Sequence, residues 1–107
     1  MTIYEKRTYS VMVGRMPDAL RLYTDEGWPA LDAGGFGEKL VGYFVSDTGP
    51  LHQLIHIWRF DDDNDRRDFW KRLFADETFM KFAPQIRPLI QTQEIQLMVS
   101  APWGPRP

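Results

Sequence analysis

Hydrophobic and polar positions alternate with a period of two through TIYEKRTYSVMV, where β-branched and aromatic residues recur, and this predicts a strand from about Thr2 to Val13. Gly14 breaks it. The period then lengthens. Pro17 suits a first helical position, Asp18 suits a first turn beside the positive end of the helix dipole, and Leu20, Tyr23 and Gly27 recur at helical spacing. Pro29 is expected to kink or end that helix, with Gly34, Gly35 and Gly37 as the exit loop. Alternation returns in KLVGYFVSD, a second strand closed by the turn signal Asp47, Thr48, Gly49, Pro50. Between that turn and the acidic run Asp61, Asp62, Asp63, the stretch LHQLIHIWRF reads as a third strand in a hairpin, and the aspartates are natural helix N-caps. Phe69, Trp70, Leu73 and Phe74 form the apolar stripe of the next helix. A further helical piece, roughly Glu77 to Ile90, is expected to be interrupted at Pro84 and Pro88, before a closing strand from Gln91 to Val99. The tail APWGPRP has three prolines and no period, so residues 102–107 are predicted to be an extended arm beyond a domain of residues 1–101, with Trp103 anchoring it on apolar surface.

The order βαββαβ with right-handed crossovers predicts an α+β, ferredoxin-like fold: a four-stranded antiparallel sheet in the order 4-1-3-2 with two helical segments on one face. The third strand is apolar on both sides. Leu54, Trp58 and Phe60 share a side with the histidines, while Leu51, Ile55 and Ile57 point the other way. Two helical segments cover one face only, so a second copy laying its own sheet against the other face is expected, giving a homodimer.

Composition narrows the partners. A chain of 107 residues suits one domain, its 43% hydrophobic and 14% aromatic content argues against disorder, and a net charge of −2 gives no general attraction for nucleic acid or an anionic membrane. The absence of cysteine removes disulfides, thiolate metal sites and cysteine nucleophiles. No apolar run approaches the ~18 residues of a membrane span. Strand-like alternation from Thr2 leaves no signal or transit peptide, and a soluble cytoplasmic protein is expected.

The candidate chemistry centres on His52 and His56. Four residues along a strand span about 13 Å, whereas a single metal ion with bonds of ~2.1 Å holds its ligands about 3 to 4 Å apart, so the pair cannot share one ion. No metal or cofactor is expected. His56, nearer the middle of its strand, suits a buried hydrogen-bonded imidazole, and His52, beside the turn, a solvated one. A turn symmetric about its centre pairs Ser46 with Leu51, which places Val45, Tyr43 and Val41 on the face of His52, Leu54 and His56, with Tyr43 diagonal to both rings and Trp58 adjacent. The first strand carries Tyr4, Glu5, Lys6, Arg7 and Tyr9 in a central position, where charges must be paired or open to a cavity. Two readings stand: a Glu5–Arg7 ion-pair network, or Arg7 with neighbouring tyrosines lining a pocket able to hold a carboxylate or phenolate. His56, Tyr43, Arg7 and Trp58 are therefore the substrate-binding candidates, and no catalytic residue is assigned. DDDND is not a calcium loop, because Arg66 stands where glycine belongs and Arg72 where the bidentate glutamate belongs. GGFG lacks the GxGxxG spacing of a phosphate cradle, and the third strand lacks the basic, paired-aromatic motif of RNA-recognition domains.

IYEKRTYSV at the start, KLVGYFVSDTGPLHQLIHIWRFDD in the middle and PLIQTQEIQLMVSAPW at the close resemble the NIPSNAP family over essentially the whole chain, most specifically in GYF, GPL and HIW followed by an acidic helix start. The resemblance implies a dimeric α+β barrel, in a superfamily that also contains antibiotic-biosynthesis monooxygenases, muconolactone isomerases and haem-handling enzymes. It implies no agreed catalytic residues. Two functions fit: a protein that binds, with or without transforming it, a small hydrophobic or aromatic molecule without a metal, or a non-catalytic dimeric interaction module.

Overall fold

The computed structural model describes residues Met1–Pro107. Strands β1 (Ile3–Val11), β2 (Leu40–Val45), β3 (Gln53–Phe60) and β4 (Ile90–Met98) form one antiparallel sheet in the order β2-β3-β1-β4, which is 4-1-3-2 read from the opposite edge. Four helices, α1 (Met16–Leu22), α2 (Trp28–Ala33), α3 (Asp63–Ala75) and α4 (Glu77–Ile86), cover one face. No helix is long and apolar enough to cross a membrane.

The strict alternation of β1 and β3 decides which face the helices cover. Glu5, Arg7, Tyr9 and Val11 are buried on β1, and Leu54, His56, Trp58 and Phe60 on β3, while the residues between them stay half-buried or exposed, Tyr4 excepted. The helices meet this face in two apolar clusters. One gathers Tyr9, Val11, Ala19, Leu54, Phe82, Ile86 and Leu89; the other gathers Leu31, Phe36, Trp58, Phe60, Phe69 and Leu73. Each large side chain buried this way contributes roughly 1.5–3 kcal/mol. Asp62 caps α3 by accepting from the Asp65 N–H at 2.8 Å, and Asp76 caps α4 by accepting from the Phe79 N–H at 2.9 Å.

Two local expectations are corrected and one is narrowed. Of the two outcomes expected at Pro29, a kink or an end, the helical segment does not end there. A π-helical turn, Tyr23–Gly27, joins α1 to α2, with the Trp28 N–H donating to the Tyr23 carbonyl, and the widened turn accommodates a proline that lacks an N–H and crowds the carbonyl four residues earlier. Gly27 makes this join compact, because a Cβ there would stand 2.7 Å from the Phe82 ring and 2.8 Å from the Tyr23 ring. Likewise α4 continues through Pro84, and the chain tightens into a 3-10 turn, Arg87–Leu89, only at Pro88. The third strand begins at Gln53, not Leu51, since His52 has a φ of 62° and turns the chain out of extended geometry.

The uncovered face is divided. Toward β2 and β3 it presents Ile55, Ile57 and Phe44, whose ring folds over the bare backbone of Gly42; toward β1 and β4 it presents Lys6, Thr8, Glu94 and Gln96. The tail is held at its end, where the Tyr4 hydroxyl donates to a main-chain oxygen of Pro107 at 2.8 Å. Trp103, expected to anchor it, is 77% exposed within this chain.

Candidate functional site

The four candidate residues lie together on neighbouring strands, Arg7, His56 and Trp58 on the two central ones and Tyr43 on the edge strand β2. The β2–β3 hairpin closes with the Ser46 N–H donating to the Gln53 carbonyl, so the pairing is displaced by two residues from a symmetric turn at 47–50. A displacement of two preserves the face and changes the neighbour: Tyr43 lies directly opposite His56, not diagonal to it, and the two rings stack at 4.4 Å with 6° between planes. Beyond Tyr43 a bulge between Leu40 and Gly42 breaks the alternation, so that Leu40, in place of Val41, pairs with Trp58 and packs on its cluster. Arg7 faces His56 from the other side, on β1.

Trp58 fixes the state of His56. Its indole Nε1–H, which can only donate, bonds His56 Nδ1 at 2.6 Å, so Nδ1 must be bare and the imidazole proton sits on Nε2. Burial, and secondarily the charge of Arg7, pull the His56 pKa down to about 3, leaving a neutral ring at neutral pH. Nε2 is buried and has no hydrogen-bond partner. This favours hydrogen-bond donation by His56 over removal of a proton from a ligand, because the nitrogen that could accept one is already engaged.

Arg7 belongs to an ion-pair network with Glu5. Its Nε donates to Glu5 Oε2 at 2.6 Å and its Nη1 to the Tyr9 hydroxyl at 3.2 Å, while Cζ lies 3.7 Å from the centre of the Trp70 ring. Glu5 is completely buried and also accepts from Arg66 Nη1 at 2.9 Å; Arg66 in turn pairs with Asp63. Three restraints from different directions hold the guanidinium, and its Nη2 edge makes no hydrogen bond to the protein.

Two spaces flank this centre. Between α1–α2 and β2 lies an open cleft of about 410 Å3, lined by Leu20, Tyr23, Trp28, Leu31, Tyr43 and Val45 among others. Between α3–α4 and the β1–β4 edge lies a crevice of about 110 Å3, with Arg7 and Tyr9 on its floor and the exposed Arg87 and Gln93 at its mouth. Tyr43 belongs to the cleft and Arg7 to the crevice, and neither space is lined by His56 or Trp58. Tyr23 lines both, and desolvation pushes its phenol, like that of Tyr43, above the usual value. Tyr23, Arg66 and Arg87 were missed in the sequence. Tyr9, two residues from Arg7 on the same strand face, was among the neighbouring tyrosines of the pocket reading; Arg66 is 61 positions from Glu5 and had no signal.

The NIPSNAP family model matches residues 4–105. The chain is 26% identical to the human protein NipSnap homolog 2 over 96% of its own length and 35% of that protein's, and 23% identical to the NipSnap homolog of Dictyostelium discoideum, of which it spans 39%. It therefore corresponds to just over a third of the length of these relatives. A crystal structure of a nipsnap family protein with unknown function from Agrobacterium tumefaciens superposes with a TM-score of 0.88 at 38% identity, covering 97% of this chain and 92% of that one. An antibiotic biosynthesis monooxygenase superposes at 0.63 with 15% identity over 94% of this chain and 99% of its own, a likeness of fold alone.

Proposed function

This chain belongs to the NIPSNAP family, and from that premise we propose that it is a small-molecule-binding protein whose ligand, apolar or aromatic, occupies the cleft between α1–α2 and β2. The cleft itself carries the reading. Its volume of about 410 Å3 falls in the range of ligand sites, and its walls are apolar apart from the Thr24 hydroxyl, the Trp28 indole N–H and the phenol oxygens of Tyr23 and Tyr43. Tyr43 would orient a polar group of the ligand, with its ring held flat against His56 and His56 locked in turn by Trp58. None of these lining groups is a base or nucleophile at neutral pH, so the reading is binding, with no chemical step assigned.

Thermal denaturation against a panel of aromatic metabolites tests this. A ligand at 100 times its dissociation constant adds about 2.7 kcal/mol of stability. Val45→Asp, at a half-exposed lining position, is expected to weaken each hit at least tenfold without unfolding the chain. Hits that bind this variant unchanged would place the ligand elsewhere. The exposed rim, Trp28 and Phe44, also fits the second reading, an interaction module; a panel without hits favours it.

We further propose a homodimer formed through the uncovered sheet face, on the strength of Ile55, Ile57 and Phe44 clustered there without a cover. Sedimentation at micromolar concentration should give about twice 12.6 kDa, and Ile57→Lys should return it to that mass. A wild-type chain that sediments as a folded monomer would end this proposal.

A further inference from the structure

We propose that the crevice between α3–α4 and the β1–β4 edge is a second, separate binding site, for a small organic monocarboxylate held end-on by the free Nη2 edge of Arg7. Its lining contains two arginines, Arg7 and Arg87, and no aspartate or glutamate. The buried carboxylate nearest to it, Glu5, is already shared between Arg7 and Arg66. The polar groups on the floor are therefore donors in search of an acceptor. Arg7 offers Nη2, and Tyr9, whose oxygen accepts from Arg7 Nη1, keeps its own hydroxyl proton to give.

The arginine is also preorganised. Its side chain is 10% exposed, pinned along Nε by Glu5, along Nη1 by Tyr9 and across its face by Trp70, so no side-chain freedom is lost when an anion arrives. An inorganic anion would waste the rest of the space. Phe79, Phe82, Ala83 and Ile86 form apolar walls around the floor, and the small volume of about 110 Å3 suits a carboxylate on a short hydrocarbon stem. Arg87 at the exposed mouth adds attraction for a negative charge on its way in. The shifted titration of His56 agrees with a positive potential from Arg7, its second cause after burial.

The test uses the full chain with butyrate, its neutral isostere butyramide, and inorganic phosphate, read by two-dimensional NMR of the arginine Nε–H and tryptophan indole N–H signals. Butyrate should bind at least ten times more tightly than butyramide or phosphate and should move the Arg7 Nε–H and the Trp70 indole signals. Arg87→Gln, an exposed position that the fold does not need, should weaken butyrate about threefold to tenfold and leave butyramide unchanged. Arg7→Met should abolish the preference for butyrate; should this variant fold poorly, the Arg87→Gln comparison stands in its place. Equal binding of butyrate and butyramide, phosphate as tight as butyrate, or butyrate shifts confined to signals away from Arg7 and Trp70 would each overturn the proposal. None of these outcomes bears on the cleft beside β2, whose reading stands or falls on Val45→Asp.

Discussion

The helical layer meets the two edges of the sheet in different ways. Along β2 it stands off, leaving a wide cleft whose walls are apolar side chains of α1, α2 and β2. Along β4 it closes to a crevice about a quarter as large, over a floor of arginine and tyrosine. The difference follows from what holds each flank. Beside β2 the contacts are non-directional, and shape depends on how Leu31, Leu40, Tyr43 and Leu54 pack. Beside β4 the walls are apolar too, but the floor is directional: Arg7 and Tyr9 are fixed, with Glu5 and Arg66 behind them, in bonds of 2.6 to 3.2 Å. A space lined by packing alone can admit several apolar molecules, whereas one with a fixed polar floor selects for charge as well.

The most severe way to break this comparison is to remove its ionic half. Glu5→Leu leaves Arg7 and Arg66 without their shared carboxylate in a desolvated place, and the expected loss is roughly 3–5 kcal/mol, read as a lowered urea midpoint. If stability changes by less than 1 kcal/mol, the crevice is no more dependent on its ions than the cleft is.

Acid should separate the central histidine from the surface carboxylates. The folded pKa of His56, about 3, lies below the ordinary 6.5, so between those values the unfolded chain binds more protons. Stability is therefore full above about pH 6.5 and falls as pH drops through that window, by a few kcal/mol for this one group. Asp18, Asp63 and Asp65 have lowered pKa values, and their contribution is lost only as pH falls through and below 3.8. His56→Gln should flatten the profile between pH 6.5 and 4.5 and leave the steeper loss at lower pH. A variant with the same slope as wild type in that upper window would mean that His56 titrates near its ordinary value, inconsistent with an imidazole buried against Tyr43, Tyr9 and Trp58.

Gly27→Ala presses on both flanks at once. The added methyl would stand 2.7 to 2.9 Å from the Phe82 and Tyr23 rings, and overpacking of this kind costs about 1–3 kcal/mol. Because Tyr23 lines both spaces, ligand binding in the cleft and in the crevice should weaken together. If one affinity changes while the other holds, the Tyr23 ring is not the wall they share.

How far this site could be read in advance follows from how local each contact is. The alternation of TIYEKRTYSVMV and LHQLIHIWRF carries a buried face and an open one, so the sheet order, the face of His56, Trp58 and Arg7, and the company of Tyr43 were all legible. The exact partner of Tyr43 was not, because the hairpin pairing depends on the backbone of Thr48 to His52, where two positive φ values, at Gly49 and His52, lengthen the turn. The π turn was hidden for a different reason. It depends on Gly27 admitting two aromatic rings, one of them 55 residues away in sequence, and no local rule about Pro29 contains that fact. Arg66 and Arg87 reach the site through tertiary contacts from segments read only as helix.

The tail should give the smallest effect and serves as the control for both flanks. Its side-chain hydrogen bond to the domain is that of the Tyr4 hydroxyl to Pro107, and Tyr4 lies on the sheet face away from both the cleft and the crevice. A single hydrogen bond of this type contributes about 1 kcal/mol, less where solvent competes for it. Deleting residues 102–107 is therefore expected to lower the urea-derived stability by about 1 kcal/mol at micromolar protein, with aromatic-ligand and butyrate affinities both unchanged. Trp103, 77% exposed in the single chain, decides what a larger loss would mean. A loss above 3 kcal/mol that grows as the protein is concentrated would show that the indole finds its apolar contact on a second copy. A loss of that size independent of concentration would contradict the exposure of Trp103 and require the arm to pack on its own domain.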